Sequence, residues 1–115
     1  NVMWEILFKL MDRMKPGASM PVLFEYSQSL LAETDFINYS NDPAKRIGHG
    51  IGLETEPPSM NAYDPHVLEV GMTLTPEPKI ESVDGLVNPE EHVVIRENGC
   101  EILSTFPSWE LFVVD

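Results

Sequence analysis

The chain has 115 residues, 43% of them hydrophobic and 23% charged, and its formal net charge is −12. Its size suits one domain, and its composition is that of a globular protein rather than a disordered or membrane protein. The acidic charge, with no cluster of Lys or Arg to offset it, argues against nucleic acid as a partner. No apolar run approaches the roughly 20 residues needed to span a membrane. The single cysteine, Cys100, favours a reducing, cytoplasmic location.

Two helices are expected at the start of the chain. Apolar residues of the first recur at spacings of three and four, at Val2, Met3, Ile6, Leu7, Leu10, Met11 and Met14. Pro16 and Gly17 end this helix, since Pro cannot continue it and Gly accepts the backbone geometry of a helix end. Ser19 is placed to cap a second helix that continues to about Thr34. Because the helical pattern is present from the first turn and Asn1 is not an initiator Met, we expect a part of a longer chain.

The sequence after Pro58 predicts β-structure. Residues 72–77 alternate in polarity, which gives this strand an apolar face and a polar face, the latter formed by Thr73, Thr75 and Glu77. Turn signals then separate further strands, with DG at 84–85 and ENG at 97–99. Two helices followed by a mostly antiparallel sheet make an α+β arrangement.

One histidine and two glutamates are the candidate metal ligands. His49 lies between glycines, which let a ligand or another strand approach the backbone closely. Glu77 is on the polar face of its strand, and Glu90 begins a second strand, again on the more polar face. One imidazole and two carboxylates suit Mn, Zn, Fe or Co better than a thiolate site would. The pattern alone leaves open that His49 is a polar turn residue and that both glutamates are solvated.

Three segments, in this order and with these gaps, resemble the second half of the pita-bread metalloenzymes: GHGIGLE at 48–54, GMTLTPEP at 71–78 and EEHVVIRENGCEIL at 90–103. That group includes Xaa-Pro aminopeptidases, prolidases, methionine aminopeptidases and creatinase. The resemblance covers essentially residues 1–115 and implies the C-terminal part of a pita-bread catalytic domain, with two helices followed by a curved, mostly antiparallel sheet. It also implies that His49, Glu77 and Glu90 are metal ligands.

The resemblance implies a metal-dependent hydrolase that cleaves Xaa-Pro bonds in small peptides or acts on a related small molecule. Members of the group hold two divalent ions, here expected to be Mn, with Co, Zn or Fe as alternatives. These ions would turn a shared water into hydroxide at neutral pH. Two further Asp ligands belong to the preceding half of the fold, so this chain alone is expected to bind at most one metal ion weakly and to lack peptidase activity. A homodimer and a monomer both stay open.

The chain departs from the family pattern at three positions. Peptidases of the group place a second histidine seven residues after the metal-binding one, and Glu56 stands there in this chain. Glu56 is therefore the candidate catalytic proton-transfer group, the alternative being an ordinary acidic loop residue. Pro76 and Lys79 replace an aliphatic residue and a glycine, and Pro76 predicts an edge strand or a bulge because it lacks an N–H. The absent histidine leaves two alternatives: a creatinase-like amidinohydrolase or lyase, and a metal-free binding module.

Three other residues carry weaker expectations. His66 lies in a loop and favours a surface position. His92 shares a strand face with Glu90, so it either lines the cleft or is solvated. Cys100 follows a turn glycine with no adjacent base, which predicts a buried small residue rather than a nucleophile.

Overall fold

The computed structural model describes residues 2–34, 37–38, 46–51, 56–82 and 85–104. Within these ranges no helix has the length and apolarity needed to cross a membrane. The described residues form two helices and eight strands: α1 (Val2–Asp12), α2 (Met20–Ala32), β1 (Ile37–Asn38), β2 (Gly48–Gly50), β3 (Glu56–Ser59), β4 (Thr73–Pro76), β5 (Ile80–Ser82), β6 (Gly85–Val87), β7 (Val93–Arg96) and β8 (Gly99–Ile102).

The two helices form as their sequences predict. The buried residues of α1 are those at the spacing of three and four: Met3, Ile6, Leu7, Leu10 and Met11. Val2 is exposed, whereas Met14 beyond the helix is fully buried. Ser19 caps α2 and accepts the N–H of Val22 at 3.4 Å. Met3 and Ile6 of α1 pack against Leu30 and Leu31 of α2, so the helices share one side of the core.

The strands form two antiparallel sheets. Five strands make the larger sheet, in the order β3-β2-β4-β7-β8, and three make the smaller one, in the order β1-β5-β6. Every strand pairing is antiparallel. The predicted α+β class and the antiparallel sheet are thereby confirmed. Because β2 lies beside β4, and β4 beside β7, the sheet brings together segments that are far apart along the chain.

The helices cover one face of the larger sheet. Leu74, Val93 and Ile95 are fully buried in a core cluster, whose helical members include Leu7, Leu10, Met11, Leu23 and Phe24. Thr75 follows Leu74 in β4 and therefore faces the other side of the sheet, since side chains alternate along a strand. The predicted alternation in β4 thus separates the core face from a polar face.

The expectation of an edge strand at Pro76 is wrong. Pro76 lies in β4, between β2 and β7 in the sheet, and its Cα pairs with Gly48. The carbonyl of Pro76 accepts the N–H of Glu91 at 3.3 Å, so its nitrogen faces the β7 side as well. The register of β4 with β7 covers only Thr73 and Leu74. Pro76 accepts this hydrogen bond but has no N–H to donate back to β7, so the regular pairing of β4 with β7 ends at this residue.

Gly48 allows β2 to pack tightly against β4. A Cβ at this position would lie 2.6 Å from the carbonyl oxygen of Thr75 and 2.5 Å from the sulfur of Met60. Real Cβ atoms do not approach this closely, so any side chain would push the backbone of β2 away from β4. The candidate ligand His49 is the next residue, and its position depends on this packing.

The carboxylate of Asp64 forms hydrogen bonds with the end of β3 and with the segment that follows it. Its carboxylate accepts the N–H groups of Ser59 and His66, both at 2.8 Å, and contacts the His66 imidazole. Burial acts to raise the pKa of Asp64, but the hydrogen bonds and the imidazole outweigh burial and hold the pKa below its usual value. Ser59 pairs with His49, so Asp64 braces the strand beside the candidate ligand.

We expect Gly48→Ala to lower the free energy of unfolding by about 3 kcal/mol, because the methyl group meets backbone rather than a yielding side chain. Gly17→Ala is the matched control. Gly17 has a φ of 90° but open space around it, so its substitution costs only the backbone strain of about 1 kcal/mol. Urea denaturation of both variants measures the difference. Equal losses would show that steric contact with β4 does not set the requirement for glycine.

We expect Asp64→Asn to lower the free energy of unfolding by about 1 kcal/mol near neutral pH, because one amide oxygen replaces two carboxylate acceptors. Since the folded-state pKa is lowered, the contribution of the carboxylate is complete above the unfolded-state pKa of about 4. It is lost as the pH falls through the folded-state value. The gap between wild type and variant should therefore narrow as the pH falls from about 5 to about 3 in urea denaturation. Asp12→Asn, at an exposed position, is the control, and a gap independent of pH would contradict the prediction.

Candidate metal centre

Three segments of the larger sheet bring the candidate ligands together. His49 is the middle residue of β2 and pairs with Thr75 of β4. Glu77 directly follows β4, where its N–H donates to the carbonyl of Ile47 at 2.7 Å. Glu90 lies just before β7, the other neighbour of β4. The neighbours of β4 therefore carry one candidate ligand on each side of Glu77.

His49 and Glu77 are in contact. The Nε2 atom of His49 lies 3.5 Å from Oε1 of Glu77, and Nδ1 lies 2.8 Å from the carbonyl oxygen of Gly50. A carbonyl can only accept, so Nδ1 carries a proton and donates it. In the neutral imidazole the lone pair is then on Nε2, directed towards the carboxylate. A backbone carbonyl that fixes the ring in this way is typical of histidines that bind metals through Nε2.

Glu77 and Glu90 also interact directly. A hydrogen bond between the two carboxyl groups raises the pKa of Glu90 to about 7, and burial and the negative charge of Glu77 act in the same direction. Two carboxylates at one place resist simultaneous ionisation unless a cation lies between them. The raised pKa of Glu90 reflects this crowding of negative charge.

The residues fit a divalent ion by type and orientation. The donors are one imidazole nitrogen and the oxygens of two crowded carboxylates, a set that suits Mn, Zn, Fe or Co. In the described part of the chain, no group of three or more His, Cys, Asp and Glu side chains stands ready to hold a metal ion. The three candidate ligands interact in pairs: Glu77 interacts with His49 and, separately, with Glu90. Metal binding by all three residues stays a prediction.

The side chains of His92 and Lys79 also lie near the candidate ligands. Nδ1 of His92 forms a hydrogen bond of 3.2 Å with the hydroxyl of Thr75, and its Nε2 lies 3.8 Å from Oε1 of Glu90. His92 therefore lies on the face of the candidate ligands, with its side chain 52% exposed. The Nζ atom of Lys79 lies 3.8 Å from Oε1 of Glu77. Sequence reasoning gave Lys79 no role, although a cation in place of a common glycine was a usable signal.

The structure tests the expectations for Glu56, His66 and Cys100 only in part. The backbone of Glu56 begins β3 and pairs with Gly50, but its side chain lies outside the described atoms, so its catalytic role stays a prediction. His66 is at the surface, as expected, with its side chain 49% exposed. Cys100 is half-buried and donates to the carbonyl of Met11 at 3.4 Å. Burial, helped by the charge of Asp12, raises the pKa of the Cys100 thiol to about 11, which disfavours a nucleophilic thiolate.

Two helices on one face of an open antiparallel sheet, with an imidazole and two carboxylates beyond the other face, make the arrangement of part of a pita-bread fold. The sequence profile of metallopeptidase family M24 matches residues 1–101, and the chain belongs to that family. The resemblance and the fold expected from it are thereby confirmed.

Several relatives carry the names of peptidases that act on Xaa-Pro substrates. The Xaa-Pro dipeptidase of Pyrococcus horikoshii is 33% identical over 106 residues, which cover 90% of this chain and 29% of that protein. The X-Pro aminopeptidase of Thermotoga maritima superposes with a TM-score of 0.82 at 30% identity, covering 98% of this chain and 32% of that one. Prolidase from Pyrococcus furiosus gives a TM-score of 0.77 at 31% identity, with coverages of 91% and 31%. The chain thus spans about 30% of the length of these relatives.

Proposed function

We propose that this chain supplies the His-Glu-Glu side of the active site of an Xaa-Pro peptidase. The observation that carries the proposal is the continuous contact from His49 through Glu77 to Glu90, in a chain of family M24. Relatives named Xaa-Pro dipeptidase and prolidase support the substrate class. The whole enzyme would use two divalent ions, Mn being the expected metal, and two Asp ligands from outside this chain. A small peptide would be its substrate.

Each ligand has a distinct part in this proposal. His49 would bind through Nε2, because its Nδ1 proton is committed to the Gly50 carbonyl. Glu77 and Glu90 would supply carboxylate oxygens, and a cation would favour the ionised form of both, against the raised pKa of Glu90. When bound, divalent ions supply Lewis acidity and an activated water. The hydrogen bond from Thr75 to His92 would fix a second imidazole at the rim of the site.

Glu56 would move the proton in this scheme. Peptide hydrolysis requires a group that takes a proton from the attacking water and returns it to the leaving amine. The Cα of Glu56 pairs with Gly50, the residue after His49, so its backbone lies beside the ligand strand. This placement, together with the absence of the family's second histidine, supports a carboxylate in that role.

We expect the 115-residue chain to bind at most one Mn²⁺ ion, weakly, because only part of the ligand set is present. Glu90→Gln should lower that affinity about tenfold or more, since it removes one of two negative charges that face the ion. Glu101→Gln is the matched control, because Glu101 is 59% exposed and pairs with Arg96. Calorimetric titration measures all three proteins. Equal affinities would contradict the site, and two tight sites in the wild type would contradict the incomplete ligand set.

In a protein that also contains the preceding half of the fold, we expect hydrolysis of Xaa-Pro dipeptides with Mn or Co, and loss of the activity on chelation. Glu56→Gln should lower kcat about a hundredfold with little change in KM, because proton transfer rather than binding is impaired. Glu54→Gln, in the same acidic segment, is the control. Steady-state kinetics on both variants measures the effect. Unchanged kcat for Glu56→Gln would leave Glu56 as an ordinary acidic residue.

A further inference from the structure

The ammonium group of Lys79 lies beside the candidate ligand Glu77. Its Nζ is 3.8 Å from Oε1 of Glu77, the oxygen that lies 3.5 Å from Nε2 of His49. The Lys79 side chain is only 25% exposed and that of Glu77 only 9%. A charged side chain that gives up much of its contact with water does so in exchange for a partner. Glu77 is the partner that the structure shows for Lys79.

The backbone keeps this ammonium group close to the ligands. Lys79 is two residues beyond Glu77, and the intervening Pro78 is buried and has a fixed φ. Directly after Lys79 the chain enters β5 (Ile80–Ser82), which pairs with strands on both sides. The backbone of Lys79 is thus held between a proline and a central strand. Only rotation of its own side chain can move the ammonium group away from Glu77.

The positive charge of Lys79 acts on the carboxylate of Glu77, which lies 3.8 Å from its Nζ atom. The site therefore contains two acidic groups and one internal cation. A divalent ion that binds Glu77 must displace this cation or remain near it. Displacement of Lys79 breaks its partly buried ion pair with Glu77. If Lys79 remains, its positive charge repels the metal ion.

We propose that Lys79 is an internal competitor for the Glu77 carboxylate and sets the affinity of this site for divalent metal ions. The inference rests on the proposed function, because it has meaning only if His49, Glu77 and Glu90 bind a metal. Lys79 is a specificity-determining residue in this view. It lowers the affinity, so that the site fills only when the free divalent ion is abundant, and it partly neutralises the carboxylates when no metal is bound.

The test is calorimetric titration of the chain with Mn²⁺, using Lys79→Met and Lys79→Arg. Methionine keeps an unbranched side chain but removes the charge, and arginine keeps the charge. We expect Lys79→Met to bind Mn²⁺ about tenfold or more tightly than the wild type, and Lys79→Arg to bind as the wild type does. Lys79→Gln gives a second uncharged variant if Lys79→Met fails to fold, which far-UV circular dichroism shows. Equal affinities for the charged and uncharged side chains would overturn the proposal.

Two companion variants separate this inference from the proposed function. In combination with His49→Ala, the gain from Lys79→Met should disappear if the added affinity belongs to this site. If Glu90→Gln weakens binding but Lys79→Met does not strengthen it, the metal site stands and the role of Lys79 fails. If Mn²⁺ binds but neither substitution changes its affinity, both proposals fail. If no variant binds Mn²⁺, Lys79→Met included, the role of Lys79 fails, whereas the incomplete ligand set of the proposed function stands.

Discussion

The close approach of β2 to β4 is the constraint on which the rest of the structure depends. It requires the absence of a side chain at Gly48, where a Cβ would meet the Thr75 carbonyl at 2.6 Å. The same pairing sets His49 opposite Thr75 and delivers Glu77 at the end of β4. The alternate residue Leu74 enters the core beneath the helices. One tight strand pair therefore joins the apolar core to the polar chemistry.

The electrostatics of the site follow from crowding. Glu77 meets His49, Lys79 and Glu90 at once, although burial alone would disfavour any charge there. A nearby cation stabilises a carboxylate in this position, and the ammonium group of Lys79 lies 3.8 Å from Glu77. The raised pKa of Glu90 acts in the same direction, because it reduces the negative charge beside Glu77 near neutral pH.

Local patterns predicted much of the fold and less of the site. The spacing of apolar residues predicted α1, and the alternation of Leu74 and Thr75 predicted the two faces of β4, because both depend only on the periods of helix and strand. The prediction of an edge strand at Pro76 was wrong, because the sequence does not show where the pairing of β4 with β7 ends. Pro76 lies in a central strand, but at the end of that pairing its missing N–H leaves few hydrogen bonds unmade. Lys79 was overlooked because it lies beyond Pro78, after the alternating pattern of β4 has ended. Periodicity therefore did not predict its contact with Glu77. The position of His49 between glycines made it a candidate, and the family motifs then implied its role as a metal ligand.

The order of strands separates distance along the chain from distance in space. β5 and β6 join β1 in the smaller sheet, whereas β4 and β7 are direct neighbours in the larger one. The hairpin of β5 and β6 is therefore a side excursion between Glu77 and Glu90. Because Lys79 leads directly into β5, a change in the length of this hairpin would act on the ammonium group beside Glu77, whereas the pairing of β4 with β7 would keep Glu77 and Glu90 on neighbouring segments.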